Sequence, residues 1–373
     1  MSELDVATIR KIARERLTTE ESEGRVDRQL VRALATEGLL PRIFPSHTGG
    51  SNTGGVSATD LCTIREALAI ENTEAETALA LQGLGAYPIV LAGSEQQAAR
   101  WVPDVAQGKA IAAFALTEAK GGSDAAQLEL KAEADGDGWR LNGEKKWISN
   151  APEADLYTVF ARTTDAGARG VTAFIVPGDT TGVSGEPLTL LAPHTVGTLR
   201  LEDTFVPASH VIGEVDRGFR VAMRTLDLFR PSVGAFAVGM AQAALESASS
   251  YAAGREAFGQ PIADFQAVSH MLADMATRTE AARLLTYEAA RVYDEGPAEE
   301  VTMRSAMAKL FATEVAQEVV DSALQIHGAS GLEEGHLLAK LYREVRTPRI
   351  YEGTSEIQRN VIARELRRHA QPG

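Results

Sequence analysis

The period of the apolar pattern changes twice along the chain, and these two changes restrict the fold more than any single motif. Up to about residue 113 the sequence reads as helical. Ala33, Leu34, Leu39 and Leu40 follow a charged run, and Leu61 to Ala69 and Ala75 to Leu84 are rich in helix formers with few breakers. Gly49 to Gly55 interrupts them as a flexible loop and reads as a plain linker. From 114 to 216 the signal is β. Gln127 to Ala134 alternates apolar and polar residues, Asp135-Gly136-Asp137-Gly138 reads as a turn, and Trp139-Arg140-Leu141 resumes as a strand. Asn142-Gly143 then gives the strongest short hairpin signal, because both residues tolerate positive φ. Leu156 to Arg162, Gly170 to Val176 and Thr198 to Val206 read as further strands.

From about Phe219 to the end the period is helical again. Val315, Val319 and Ala323, with Val320, Leu324 and His327, recur at three- and four-residue spacing, and 233–253 and 305–325 read as long alanine-rich packed helices. Breaks at Gly259-Gln260-Pro261, Asp294 to Pro297 and Gly328 to Gly331 divide the region into about four helices, for which a bundle is the natural packing. The expectation is an α+β chain of three domains: helical over 1–113, a sandwich- or barrel-like β domain over 114–216, and a four-helix bundle over 217–373. No internal repeat explains this order.

Charge and cysteine usage exclude several functions. With 51 acidic against 37 basic residues the formal charge is -14, which argues against nucleic acid or an anionic membrane as partner. The one short basic run, Arg367-Arg368, is at a tail. Cys62 is the only cysteine, so no internal disulfide and no multi-cysteine metal site is possible, and a reduced, cytoplasmic setting fits. No metal is expected. The N-terminal MSELDVATIRKIARERL lacks an apolar core and no run approaches a membrane span, so the chain reads as a mature soluble protein.

Five stretches carry possible chemistry. In Arg349-Ile350-Tyr351-Glu352-Gly353-Thr354-Ser355-Glu356-Ile357-Gln358-Arg359, Ser355 and Gln358 have capping-box spacing. Glu352 is therefore expected in the turn ahead of a helix, as a surface charge near a helix dipole or as a base held by a rigid turn. Phe114 to Asp124 contains a Gly-Gly-Ser turn whose backbone N–H groups can approach a phosphate or the edge of a ring, although most such turns bind nothing. In Glu144 to Asn150, read as the return strand of the Asn-Gly hairpin, Trp147 and Ser149 are two residues apart and so share a face; a core tryptophan with a surface serine is equally common. Arg255 to Ile262, with Arg255 and Phe258, and Gln325 to Gly331, with Gln325 and Gly328, both suit either a ligand or a plain helix stop.

The order and spacing of these stretches together resemble one family, the acyl-CoA dehydrogenases, over nearly the whole chain. The resemblance implies that family's fold: helical domain, β domain and four-helix bundle, with FAD bound between the last two and across a subunit contact in a homotetramer. In the family the acid of the "YEGT" motif removes the α-proton of an acyl thioester while the β-hydride passes to flavin N5, which makes Glu352 the base. Its backbone N–H and a flavin ribityl hydroxyl are the donors to the thioester oxygen. A minority of the family carries the base just before an arginine that corresponds here to Arg230; that position is Phe229, so Glu352 has no competitor and Phe229 is placed at the acyl pocket.

By the same resemblance Thr117 and Ser123 meet the isoalloxazine edge and the cofactor or substrate phosphates, Trp147 packs against the ring, and Ser149 bonds near N5. Arg255, Phe258, Gln325 and Gly328 match contacts to the FAD of the neighbouring subunit, and Thr354 and Glu356 match further FAD contacts. Ser123, Phe229, Arg230, Tyr351 and Gly353 fall on the substrate side. No G-x-G-x-x-G fingerprint occurs, which fits FAD in this fold rather than NAD.

The sequence also departs from the family pattern. Ala119-Lys120 replaces a Pro-x-Ala segment, with Lys120 expected in solvent. Leu191 to Thr198 replaces a Lys-Met-Gly-x-Arg stretch near the substrate, which puts ordinary fatty-acyl specificity in doubt and leaves His194 as an acyl contact or a solvated loop residue. Glu344 stands for an aspartate and Ala329-Ser330 for a glycine-rich pair. The reading is acyl-CoA α,β-dehydrogenation with electrons passed to an electron-transfer flavoprotein. Its rivals are desaturation of an acyl group on a carrier protein, an oxygen-using oxidase or N-hydroxylase on the same fold, and a flavin-free scaffold.

Overall fold

A computed structural model describes residues 5–17, 24–192 and 194–370, apart from the side chain of His369. The expectations for the first four residues, and for Pro193 in the 191–198 loop, lie outside the described residues. Among the described residues six helices come first: α1 Val6–Arg16, α2 Arg28–Thr36, α3 Leu39–Arg42, α4 Ala58–Glu71, α5 Thr73–Ala92 and α6 Glu95–Ala106. Nine strands follow: β1 Ala112–Ala115, β2 Lys131–Asp135, β3 Gly138–Ser149, β4 Leu156–Arg162, β5 Val171–Pro177, β6 Val183–Ser184, β7 Pro187–Leu188, β8 Val196–Pro207 and β9 Val211–Ile212. Then come α7 Gly218–Gly254, a hairpin of β10 Glu256–Ala257 and β11 Gln260–Pro261, and α8 Gln266–Glu295, α9 Ala298–His327, α10 Leu337–Glu344 and α11 Ser355–Ala370. No described helix is long and apolar enough to cross a membrane.

Two compact units, each discontinuous in sequence, cut across this order. One comprises Met1–Arg14, Ser57–Glu76 and Asp227–Gly373; the other comprises Glu15–Val56 and Thr77–Leu226.

The second unit is built on a sheet of order β6-β8-β3-β2-β4-β5-β9, with β1 added parallel to β4 and β7 beside β8. β4 and β5 are buried along nearly their whole length, so they read as continuous apolar runs rather than as alternation. The β2–β3 hairpin closes at Asp135 and Gly138, with Gly136 at φ +59°. Asn142-Gly143, expected to be a hairpin turn, lies inside β3, where the register against β8 shifts between Leu141 and Gly143. The chain has already reversed at Gly136, and pairing with β8 on both sides of the dipeptide turns its positive-φ tolerance into a bulge. Gly85 of α5 lies against β1: a Cβ there would sit 2.6 Å from Ala113 N, and its carbonyl accepts from Thr158 Oγ1 at 2.8 Å. The 49–55 stretch is not a plain linker, because Ser46 N donates to Asn52 O, Asn52 N to Phe44 O and Ser51 N to Pro41 O.

The helical unit packs α7, α8 and α9 around small side chains, among them Ala241, Ala244, Ala282, Ala312, Ala316 and Ala323, with Phe236, Met240, Val319 and Leu341 filling the remainder. Pro231 lies within α7 and cannot donate to the Asp227 carbonyl four residues back. Ser305 Oγ of α9 donates to that carbonyl instead, at 2.8 Å. This local gap in the helix ladder is beside Arg230.

Candidate active site

Within the helical unit, a short turn between α10 and α11 carries Glu352. Tyr351 N donates to Thr347 O, after which Glu352 has φ +53° and Gly353 φ +92°. A left-handed glutamate is a strained backbone, costing on the order of 1–2 kcal/mol, and persists only if its surroundings fix it. They do so from three helices. The Glu352 carbonyl accepts from Arg230 Nε of α7 at 3.2 Å and from Gln358 Nε2 of α11 at 3.1 Å. The Gly353 carbonyl accepts from Lys309 Nζ of α9 at 2.6 Å and from Gln358 Nε2 at 2.9 Å. Gly353 suits its φ of +92°, where other residues are strained, and a Cβ there would also lie 2.7 Å from Gln358 Nε2 and displace the amide that clamps the turn.

The capping-box expectation is off by one residue. Thr354 Oγ1 accepts from Ile357 N at 3.3 Å, while Ser355 is already helical and its Oγ donates to Glu314 Oε1 at 2.5 Å. Gln358 is freed from a capping role and clamps the two carbonyls instead.

Glu352 is half-buried, but its Oε2 is fully enclosed and has no hydrogen-bond partner among the described residues. Burial raises its pKa above the ordinary carboxylate value, against the pull of Arg65, Arg230 and Lys309. Arg65 of α4 is buried, ion-paired with Glu76 and bonded to Ser232 Oγ at 2.6 Å. Arg230 pairs with Asp227 at 3.3 Å, and Asp227 also accepts from Thr302 Oγ1. Phe229 is buried in α7 next to Arg230, and Tyr351 is half-buried. The turn can therefore present a basic carboxylate in a water-poor setting.

The sheet unit holds a second group. The register of β3 against β8 shifts again between Lys145 and Ile148, and Trp147 there has φ +57° and is 45% exposed. This breaks the strict alternation on which Trp147 and Ser149 were expected to share a face; Ile148 between them is buried and Ser149 half-buried. Lys146 N donates to Thr117 O at 2.9 Å, which brings the Thr117 backbone to the same bulge. Beneath it, fully buried Lys145 donates to Leu116 O at 3.1 Å and to Glu118 Oε1 at 2.7 Å. Glu118 in turn accepts from Glu129 N and Leu130 N. This pair fixes the loop that ends in exposed Ser123, and Lys120 is in solvent against Glu129, as expected. An exposed indole, two half-buried hydroxyls and a glycine turn form a donor set suited to a planar heteroaromatic ring.

Three family models match the chain in order: "Acyl-CoA dehydrogenase, N-terminal domain" over residues 3–109, "middle domain" over 113–204 and "C-terminal domain" over 216–367. The chain belongs to the acyl-CoA dehydrogenase family. It is a flavin-dependent oxidoreductase with acyl-CoA dehydrogenase-type chemistry, from a family of FAD-dependent flavoproteins. It is 34% identical over 370 residues to the cyclohexane-1-carbonyl-CoA dehydrogenase of Geobacter metallireducens, covering 97% of this chain and 96% of that one. It is 37% identical over 368 residues to the caffeyl-CoA reductase-Etf complex subunit CarC of Acetobacterium woodii, covering 95% and 96%. The solved butyryl-CoA dehydrogenase from Megasphaera elsdenii superposes with a TM-score of 0.91 at 35% identity, covering 98% and 99%.

In this acyl-CoA dehydrogenase the remaining expected site residues lie in the helical unit. Arg255 is exposed just after α7, and the next residues form the β10–β11 hairpin, whose two-residue turn is Phe258 at φ +53° and Gly259 at φ +84°. Phe258 is 97% exposed. Gln325 and Gly328 are exposed at the end of α9, where Gly328 adopts φ +60°, ψ -139°. Thr354 is half-buried and Glu356 exposed. The hydrogen bonds bring Glu352, Gly353 and Arg230 together, and the sequence reading missed Lys309, Gln358 and Arg65 around them. A signal existed for two of the three: Arg65 and Lys309 are each a basic residue set among small or apolar helix neighbours, Leu61 and Leu68 or Ala306 and Ala312.

Proposed function

We propose that the protein dehydrogenates an acyl-CoA thioester across its α and β carbons to the trans-2-enoyl-CoA, with FAD bound, Glu352 as base and an electron-transfer flavoprotein as acceptor. The Glu352 carboxylate carries this reading. A thioester α-carbon is a weak acid, so its base needs raised basicity, exclusion of water and a fixed position. Glu352 has an enclosed, unbonded Oε2, a pKa raised by burial and a turn clamped from three helices. A solvated surface glutamate has none of these.

The residues fit FAD. Thr117, Ser123, Trp147 and Ser149 of the sheet unit, and Arg255, Phe258, Gln325, Gly328, Thr354 and Glu356 of the helical unit, would hold it. When bound it supplies the two-electron acceptor for the β-carbon. Ser123, Phe229, Arg230, Tyr351 and Gly353 serve the substrate side, Arg230 by fixing the Glu352 carbonyl and Gly353 by letting the backbone approach the acyl group. A relative that is a subunit of an Etf complex supports the electron-transfer flavoprotein. A cytoplasmic homotetramer follows from family resemblance.

The test is an anaerobic titration of the purified holoprotein with a panel of acyl-CoAs, following flavin absorbance. Glu352→Gln should retain FAD and slow bleaching by about 10²–10⁴-fold, the usual contribution of a general base. Bleaching at the parent rate would remove Glu352 from the mechanism. Bleaching by no acyl-CoA would favour a carrier-bound acyl group or oxygen-using chemistry. A second reading runs the same geometry backwards, with protonated Glu352 delivering its proton to the α-carbon of an enoyl-CoA; a relative named as a reductase favours it. Comparing the rates of reduction by acyl-CoA and reoxidation by enoyl-CoA decides the direction.

A further inference from the structure

Four lysine and arginine side chains are buried among the described residues, and three of them end on a carboxylate: Arg65 on Glu76, Arg230 on Asp227 and Lys145 on Glu118. Lys309 is the exception. Its side chain is fully buried in the middle of α9, its Nζ donates to the Gly353 carbonyl at 2.6 Å, and among the described residues no carboxylate comes within ion-pair distance of it. An ammonium buried without a counter-ion is costly, and neutral alternatives for packing a helix are plentiful. With Glu76 and Asp227 committed to the two arginines, Glu352 is the charge left to balance Lys309.

We propose, building on the reading of Glu352 as base, that Lys309 is its positioning residue: as an ammonium it holds the Gly353 carbonyl and so fixes the left-handed turn, and its buried positive charge keeps the Glu352 carboxylate in the proton-accepting form. The charged groups around it agree. Lys309 feels Glu352 from the turn, Arg230 from α7, Glu314 from its own helix and Glu356 from α11; Glu352 feels Arg65, Arg230 and Lys309. Burial lowers the Lys309 pKa to about 8, so the ammonium is present at neutral pH and is lost on the alkaline side. Losing it weakens the hold on the Gly353 carbonyl, from a charge-assisted donor to a neutral amine, and removes one of the three charges that oppose the burial penalty on Glu352.

The experiment measures single-turnover bleaching of the FAD-loaded protein by its best acyl-CoA as a function of pH, in the parent and in Lys309→Met, Lys309→Arg and Glu352→Gln. The parent rate should fall as pH rises past about 8. Lys309→Arg, which keeps the charge, should lose that alkaline fall. Lys309→Met should be slower at every pH by about tenfold or more, since small misplacements of a reacting group are costly, and its acid limb should move up by about one unit, with KM little changed.

A parent profile that is flat through pH 8 overturns the proposal, and this needs no variant to fold. So does an alkaline fall that persists in Lys309→Arg, which would then belong to Lys145, whose pKa burial also lowers to about 8. A Lys309→Met profile that superimposes on the parent overturns it too. The two readings fail separately: Glu352→Gln active at the parent rate removes the base itself, whereas an inert Glu352→Gln beside a fully active Lys309→Met removes only the role of Lys309.

Discussion

Glu352 has an environment suited to a reaction at the expense of the folded state. Burial raises its pKa, so between the ordinary carboxylate value of 4.5 and the raised value the folded chain holds a proton that the unfolded chain has released. By linkage the contribution of this group to stability falls as pH rises through that window and stays low above it. Glu352→Gln is neutral at all pH and escapes the penalty. Its melting temperature should exceed that of the parent at neutral pH, and the gap should close as pH drops through the window. A pH series of thermal denaturation checks this. A parent that is more stable than Glu352→Gln at neutral pH would mean that Arg65, Arg230 and Lys309 over-compensate the burial of the carboxylate. The same residue also sets the acid limb of activity, because the base must be ionised, and that limb should lie above the usual carboxylate range.

Elements place these side chains, and here local sequence signals separate from tertiary ones. α4, α7 and α9 bring Arg65, Arg230 and Lys309 toward one turn, although these residues are far apart in sequence. The helical periods and the "YEGT" turn were legible in the sequence because each depends on neighbouring residues. The clamp on the turn was not, because which buried cation meets which carbonyl depends on helix packing that a single sequence does not align. Asn142-Gly143 shows the converse: the dipeptide permits a hairpin, and long-range pairing of β3 with β8 makes it a bulge. The Lys145–Glu118 pair gives a test at this scale. Lys145→Met leaves Glu118 buried without its cation and should cost about 3–5 kcal/mol in denaturant unfolding. Adding Glu118→Gln should recover only part of that loss: it removes the uncompensated buried charge, but Glu129 N and Leu130 N donate to different carboxylate oxygens, and the single amide oxygen can accept from only one of them. A double variant no more stable than the single would mean that the pair is not the link between β3 and the 116–130 loop.

At the scale of the whole molecule, the chain divides into a helical unit that holds the proposed base and a sheet unit that holds the exposed indole, and neither is continuous in sequence. The alternation of helical and β periods predicted the kinds of element but not this partition, since α4 belongs to one unit and most of α5 to the other. The helical unit also displays a residue that its own core does not use. Phe258 is almost wholly exposed in a left-handed conformation at the tip of the β10–β11 hairpin, with an edge-on approach to the Phe265 ring at 6.1 Å between centroids. A bulky side chain in that conformation is strained by about 1–2 kcal/mol, and so much exposed apolar surface gives the isolated fold nothing in return. A role outside its own fold would account for both, and the role proposed for Phe258 is contact with the FAD of a neighbouring subunit in the proposed homotetramer. Phe258→Gly separates the two functions of the tip. Relief of the strain should offset the roughly 0.5–1 kcal/mol entropy cost of glycine, so the melting temperature of the FAD-free protein should stay close to that of the parent. FAD should nevertheless dissociate faster, by about tenfold for the loss of roughly 1.4 kcal/mol of contact, as followed by the recovery of free-flavin fluorescence on dilution. Unchanged FAD release with unchanged stability would leave Phe258 without a part in holding the cofactor, and a large drop in the melting temperature of the FAD-free protein would show that the hairpin supports its own subunit instead.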